Sequence, residues 1–329
     1  MESEYRMPPK PENTEGAMRT LGIELEFASE DGLQLAELVN RLFEGKIDRI
    51  DPHLFKIRDT PLGTFTIELD TQYVHWKKPE SAESDWMDEL LPKELFDDLI
   101  EALGDVMKYV VPYELVTPPI PLDRLPECDR LLAELRKLKL KGTDEGFFYA
   151  FGMHLNPEVA EQNHVWILDV LRAYLLVADW LHEQMGIDLA RKLSPYIRAC
   201  PEPYILKVLQ PKYQPDEETF IRDYVKFNDT RNRELDLFPL LSHINEPLMQ
   251  KLVTDDLTKP RPTFHLRLPD CRLNDPDWSI SHHWNLWVQV EELADDKARL
   301  EAMSLAYIQH ADKLFKGKWA QKIPEFLNR

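Results

Sequence analysis

The chain is 329 residues long and carries 40 Lys+Arg against 59 Asp+Glu, a net charge of −19 at pH 7. At roughly 100–200 residues per domain this is one large domain or two ordinary ones. So strong a negative excess repels phosphate backbones and anionic surfaces, so neither nucleic acid nor membrane is expected as a partner. Three cysteines (Cys128, Cys200, Cys271) are too few and too scattered for a disulfide frame or a Cys-based zinc site, and they suit a reducing, cytoplasmic setting.

Residues 1–18 are polar and Pro-containing, and are expected as a flexible lead-in without the apolar segment of a signal peptide. Residues 20–27 alternate strictly and predict a strand. A helix over 33–43 and strands around 53–58 and 63–73 follow, the two strands separated by a turn-like Thr60-Pro-Leu-Gly63. A helical region over 84–109, broken near Pro92, precedes a strand at 113–117 and a helix over 122–139. A strand at 147–156 ends at Pro157. Helices dominate 163–227; the greasiest part, 165–181, contains Asp169, Arg172 and Asp179 and reads as a buried amphipathic helix. A strand at 262–268 and a final helical stretch over 281–316 close the chain. The strands do not follow a regular βαβ rhythm. The expected class is α+β, a largely antiparallel sheet with helices on one side, forming a single domain over 19–329.

In a strand, residues two apart share a face. Ile23, Leu25 and Phe27 therefore oppose Glu24 and Glu26, and Phe65, Ile67 and Leu69 oppose Thr66, Glu68 and Asp70. Met153 and Leu155 oppose His154 and Asn156, and the apolar residues of Phe264–Leu268 oppose His265 and Arg267. Each strand alone could be an ordinary half-exposed strand with its polar face in water. Together, faces carrying acids, His, Asn and Arg point elsewhere. Like charges on one sheet face repel unless a cation lies over them, and carboxylates so placed are hard oxygen ligands for Mg²⁺, which often accompanies nucleotide phosphates.

A second cluster is Thr230-Arg-Asn-Arg-Glu-Leu-Asp236. Arg231 and Arg233 either pair with Glu234 and Asp236 or hold phosphate or carboxylate oxygens as guanidinium forks. No GxxxxGK[ST] loop, GxGxxG turn, HExxH helix or GxSxG elbow occurs. His282 and His283 are helix neighbours and do not face a common metal, Trp284 and Trp287 have core spacing, and 291–299 reads as a solvated helix face.

The order of these motifs resembles a known superfamily. Gly22-Ile-Glu-Leu-Glu-Phe27 resembles the first strand of the glutamine synthetase-like carboxylate–amine ligases, which include glutamate–cysteine ligase. Phe55-Lys-Ile-Arg-Asp-Thr60, Glu114-Leu-Val-Thr-Pro118, Gly152-Met-His154 and Thr263-Phe-His-Leu-Arg267 resemble the strands that follow. The Thr230–Asp236 segment and Trp284-Asn-Leu-Trp287 resemble the bacterial amidoligase family in particular, over roughly residues 19–300. The resemblance implies a curved, glutamine synthetase-type sheet with helices on its outer face and Mg²⁺–ATP on its concave one. It implies metal-binding carboxylates at Glu24, Glu26 and Glu114, with Asp59 at the acidic position before a hydroxylated residue. His154, with Asn156 beside it, falls on the nucleotide side, and Arg267 on the phosphate side. His265 stands where the family has Glu, a gap that Glu68 or Asp70 could fill. The implied activity is ATP-dependent amide formation through an acyl phosphate, with Arg231, Arg233 and Arg267 offsetting charge. The substrates would be small-molecule or peptide acids and amines. A phosphotransferase acting on nitrogen, and a binding protein on a degenerate ligase scaffold, are the alternatives, the latter suggested by His265.

Overall fold

The computed structural model describes residues 4–29, 31–69, 112–138, 151–187, 197–253, 259–313 and 317–327. The expected helix over 84–109, residues 70–73 and 147–150 of two expected strands, and Asp70 lie outside them. The described residues combine ten α-helices with a nine-stranded, open, antiparallel sheet. The strands are β1 (Thr20–Phe27), β2 (Lys46–Arg49), β3 (Phe55–Thr60), β4 (Gly63–Leu69), β5 (Tyr113–Val116), β6 (Ile120–Pro121), β7 (Met153–Pro157), β8 (Leu235–Asp236) and β9 (His265–Leu266). Their order is β2-β3-β4-β5-β1-β7-β9-β8, with β6 paired to the start of β1.

Alternation in β1 does what its sequence dictates. Leu21, Ile23, Leu25 and Phe27 are fully buried in the core, with Phe65 and Ile67 of β4, Leu115 of β5 and Met153 and Leu155 of β7. At about 25 cal/mol per Å² of apolar surface removed from water, this shared apolar face fixes the register, because a one-residue slip would turn every carboxylate of β1 into the core. Helices cover that apolar face. Helix α1 (Gly32–Phe43), capped by Asp31 accepting from the Leu33 and Gln34 amides, packs on β3 and β4. The expected C-terminal helical stretch is two helices, Ile280–Asp295 and Lys297–Ala311, divided where Asp296 caps the second. Trp284 and Trp287 are buried as their spacing predicts, and Trp287 meets Phe264 at 5.3 Å on the core side of β9.

Two sequence expectations change here. Glu291, expected on a solvated helix face, is fully buried and takes two 2.7 Å hydrogen bonds from Arg19. The cause is residues 4–19 running against this helix: Trp284 Nε1 donates to Arg6 O (2.8 Å), and Asn285 Oδ1 accepts from the Arg6 amide (2.8 Å). The helix expected over 122–139 instead opens with a 3₁₀ turn at Leu122–Arg124 and continues as Glu127–Lys137. Among the described residues no helix is long and apolar enough to cross a membrane.

Candidate active site

Register turns the polar face of the sheet into two transverse rows. In one, Glu68 of β4 lies opposite Glu114 of β5, which lies opposite Glu26 of β1. In the other, Thr66, Val116, Glu24 and His154 follow one another across β4, β5, β1 and β7. Gly22, opposite Asn156, completes the face: a Cβ there would stand 3.3 Å from Asn156 Cβ, so glycine lets that amide lie close.

The centre of the cluster is buried. Glu24 Oε2 lies 2.8 Å from His154 Nδ1, and Glu24 Oε1 accepts from Asn156 Nδ2 at 2.9 Å. Glu26 Oε2 accepts from the Gly152 amide at 2.6 Å, while Glu26 Oε1 faces His154 Nε2 at 3.2 Å. Both nitrogens of His154 therefore face carboxylate oxygens. A neutral imidazole donates from only one nitrogen, so the other sets a lone pair against a carboxylate unless a proton or a metal ion lies between them. Two groups of three bring ligand atoms within 4.8 Å of one another: Glu24, His154 and His265, and Glu26, Glu114 and His154. Their donors are carboxylate oxygens and imidazole nitrogens, which suits a divalent cation. On this chemistry the residues fit a metal.

Cations gather beside the acids. Asp236, fully buried, has its Oδ2 3.7 Å from each of Arg231 Nε, Arg267 NH2 and His265 Nδ1. Among the described residues, neither Asp236 Oδ2 nor His265 Nε2 has a hydrogen-bond partner. A cavity of about 580 Å³ opens over this ground, lined by Glu24, Glu68, Glu114, Arg231, His265 and Arg267 among others. Its size suits a drug-sized ligand.

Burial and charge set the protonation of these groups. Burial pushes the Glu24 carboxyl up, but the hydrogen bond from His154 and the facing imidazoles hold it well below the usual range. Burial first, then the charge of Glu24, raises Glu68. Burial likewise opposes ionisation of Asp236, yet His265 and the Arg267 and Arg231 guanidiniums hold it low. His265 is pushed down to about 4, by burial first and then by Arg267. Near neutral pH it is therefore an uncharged ring with a lone pair to offer.

The sheet thus brings together most residues expected from the sequence: Glu24, Glu26, Glu114, His154, Asn156, Glu68, His265, Arg231 and Arg267. It does not bring in two others. Asp59 sits at positive φ (60°) where the β3–β4 register shifts, is 68 % exposed and pairs with Lys46 at 3.2 Å. The bulge re-aims it, because an extra residue breaks the two-residue alternation. Arg233 turns the other way from Arg231, donating to Ala199 O (2.7 Å) and Phe227 O (3.4 Å). The backbone between them is irregular rather than extended, so residues two apart need not share a face. The sequence reading missed Asp236 as a member of the site, together with Lys56, Lys259 and Arg261 in the cavity wall. Lys56 was legible from strand alternation with Phe55 and Ile57. Lys259 and Arg261 precede β9 in Lys-Pro-Arg-Pro-Thr263, and Arg261 comes within 3.8 Å of Glu24.

An open antiparallel sheet with one acid-and-base-lined face over a cavity defines the class as a mixed α/β protein with an enzyme-like site. Residues 17–289 match a family described as "putative amidoligase enzyme", and the chain belongs to that amidoligase family, which assigns it a ligase-type role. Comparisons with curated proteins and with solved structures return no match.

Proposed function

We propose that the chain is an ATP-dependent carboxylate–amine ligase, forming an amide through an acyl phosphate on a sheet of the glutamine synthetase type. The observation that carries this reading is a single cavity lined by both carboxylates (Glu24, Glu68, Glu114) and cations (Lys56, Arg231, Lys259, Arg261, Arg267). When bound, Mg²⁺–ATP would supply the phosphoryl group that turns a poor electrophile, a carboxylate, into a good one. Glu26 and Glu114 would hold the metal. Arg231 and Arg267, aligned on the buried Asp236, would neutralise oxygens that gain charge, and their fixed positions avoid reorganisation during the reaction. Lys259 and Arg261, nearer the rim, would hold the carboxylate of the acid substrate. An amino acid, a peptide or a polyamine derivative fits a cavity of this volume and polarity.

The experiment is ADP release from ATP in the presence of paired acids and amines, with the product identified by mass. Glu26→Ala and Arg267→Ala should each lower turnover about 10²–10³-fold with circular dichroism unchanged. Wild-type turnover in both variants would overturn the site. A phosphorylated nitrogen compound in place of an amide would move the activity to phosphoryl transfer, and no nucleotide binding at all would leave a binding protein.

A further inference from the structure

One cation of the cavity wall stands apart from the others. Lys56 lies on β3, at the end of a transverse row: it is opposite Thr66 of β4, which faces Val116 of β5, which faces Glu24 of β1. All four line the same cavity. At about 4.8 Å per strand, three steps separate the backbones of Lys56 and Glu24 by roughly 14 Å. The floor between them, Thr66 and Val116, carries no charge. Lys56 is half-buried, and among the described residues no carboxylate lies within ion-pair distance of its ammonium group.

The arginines stand at the other end. Arg261 NH1 is 3.8 Å from Glu24 Oε1, and Arg231 and Arg267 gather on Asp236. Lys259 leads from that end toward Lys56. Lys259, Arg261, Thr263, His265 and Arg267 all line the cavity, a two-residue period that runs through Pro260 and Pro262. Proline fixes its own φ and favours an extended residue before it, so Lys259 and Arg261 are carried on a stiff segment, roughly 6–7 Å apart. The segment is anchored where the Arg261 amide donates to Pro239 O (3.0 Å) and Pro262 O accepts from the Val159 amide (2.8 Å). Lys259 and Lys56 both act on the Glu68 carboxyl, opposing the rise that burial and Glu24 cause, so the two ammonium groups flank it.

A half-buried ammonium group gives up part of its hydration, and a ligand carboxylate at hydrogen-bonding distance restores it. A short acid held by its one carboxylate at Arg261 and Lys259 does not reach Lys56. An acid with a second carboxylate farther along its chain engages both ends, and the neutral floor of Thr66 and Val116 takes the chain between them. We propose that Lys56 binds a second carboxylate of the acid substrate, remote from the reacting one, so that the acid is an extended dicarboxylate: an acidic peptide or a long-chain diacid. The inference rests on the ligase reading for which carboxylate reacts, whereas the two-ended binding is measured without ATP.

Full-length protein is titrated calorimetrically with succinate, with suberate and with the monomethyl ester of suberate, which keeps the length and loses one charge. Suberate should bind at least about 10-fold more tightly than either of the others, the worth of one charge-assisted contact. Lys56→Gln should abolish that preference, and Lys56→Arg should retain it. Equal affinity for suberate and its ester, no binding of either, or an unchanged preference in Lys56→Gln would each overturn the proposal. So would a loss of Mg²⁺–ATP affinity in Lys56→Gln, which would give this lysine to phosphate. If Lys56→Gln does not fold, the comparison of suberate with its ester on the wild-type protein decides. In the ligation assay, a peptide acid with a terminal acidic residue and free suberate separate the two sources of the dicarboxylate, and Lys56→Gln should raise KM for the one used far more than it lowers kcat. A suberate preference without ADP release for any acid–amine pair would keep this inference and remove the ligase reading. Amide formation from short monocarboxylates as readily as from diacids would do the reverse.

Discussion

Two buried charge clusters in this molecule are built on opposite terms. Around Glu291 every contact is short: Arg19 donates twice to the carboxylate at 2.7 Å, Trp287 Nε1 donates to it at 2.7 Å, and Arg19 Nε reaches Glu158 O at 2.8 Å. Around Asp236, which is equally buried, Oδ1 accepts from the Phe238 amide at 2.9 Å, while Arg231, His265 and Arg267 stand 3.7 Å from Oδ2, which among the described residues has no hydrogen bond. The first cluster is closed and joins chain segments 272 residues apart. The second leaves its charges spaced around a cavity. A charge buried for structure is saturated at hydrogen-bonding distance, because an unpaired buried ion is strongly destabilising. Charges held apart at such distances leave room for a ligand's oxygens or a cation to complete them.

The sharpest way to break that contrast is Glu291→Ala. Removing one partner leaves Arg19 buried and uncompensated, which should cost about 3–5 kcal/mol. Urea unfolding would register it as a lower midpoint at unchanged slope, and an unchanged midpoint would show that the pair is not the clasp described.

A smaller effect comes through pH. Burial first of all pushes His283, on the same helix as Glu291, down to about 3. The folded protein then keeps this ring neutral while the unfolded chain protonates it below about 6.5. Stability should therefore fall as pH drops from about 6.5 toward 3, at up to about 1.4 kcal/mol per pH unit from this group. Denaturation of His283→Gln at pH 7 and pH 4.5 should show a smaller acid loss than the parent, and parallel losses would remove His283 from the explanation.

The smallest expected change is at Asp59, exposed and paired with Lys46. Asp59→Asn should alter stability by no more than about 1 kcal/mol and leave ADP release intact, as exposed ion pairs usually behave. A large loss of turnover there would return Asp59 to the site and weaken the contrast between closed and open clusters.

Much of the site was legible because strand alternation is local. Glu24 with Glu26, His154 with Asn156, and His265 with Arg267 share faces by a two-residue period that needs no partner strand. The same rule failed wherever the backbone left that period. A bulge turned Asp59 outward, and the irregular turn after Asn228 separated Arg231 from Arg233. Glu291 lies on a helix whose local pattern reads as solvated; only Arg19, from the other end of the chain, explains its burial.

The sequence by itself determined which side chains each strand shows to the polar face, and with its motif order it determined the family. The tertiary structure alone decided that Glu68, Glu114 and Glu26 line up, that Asp236 sits among the cations, and that His265 meets Glu24. The physical reason is that periodicity constrains neighbours a few residues apart. Which strands lie side by side, and in what register, is settled by burying one shared apolar face across long chain separations.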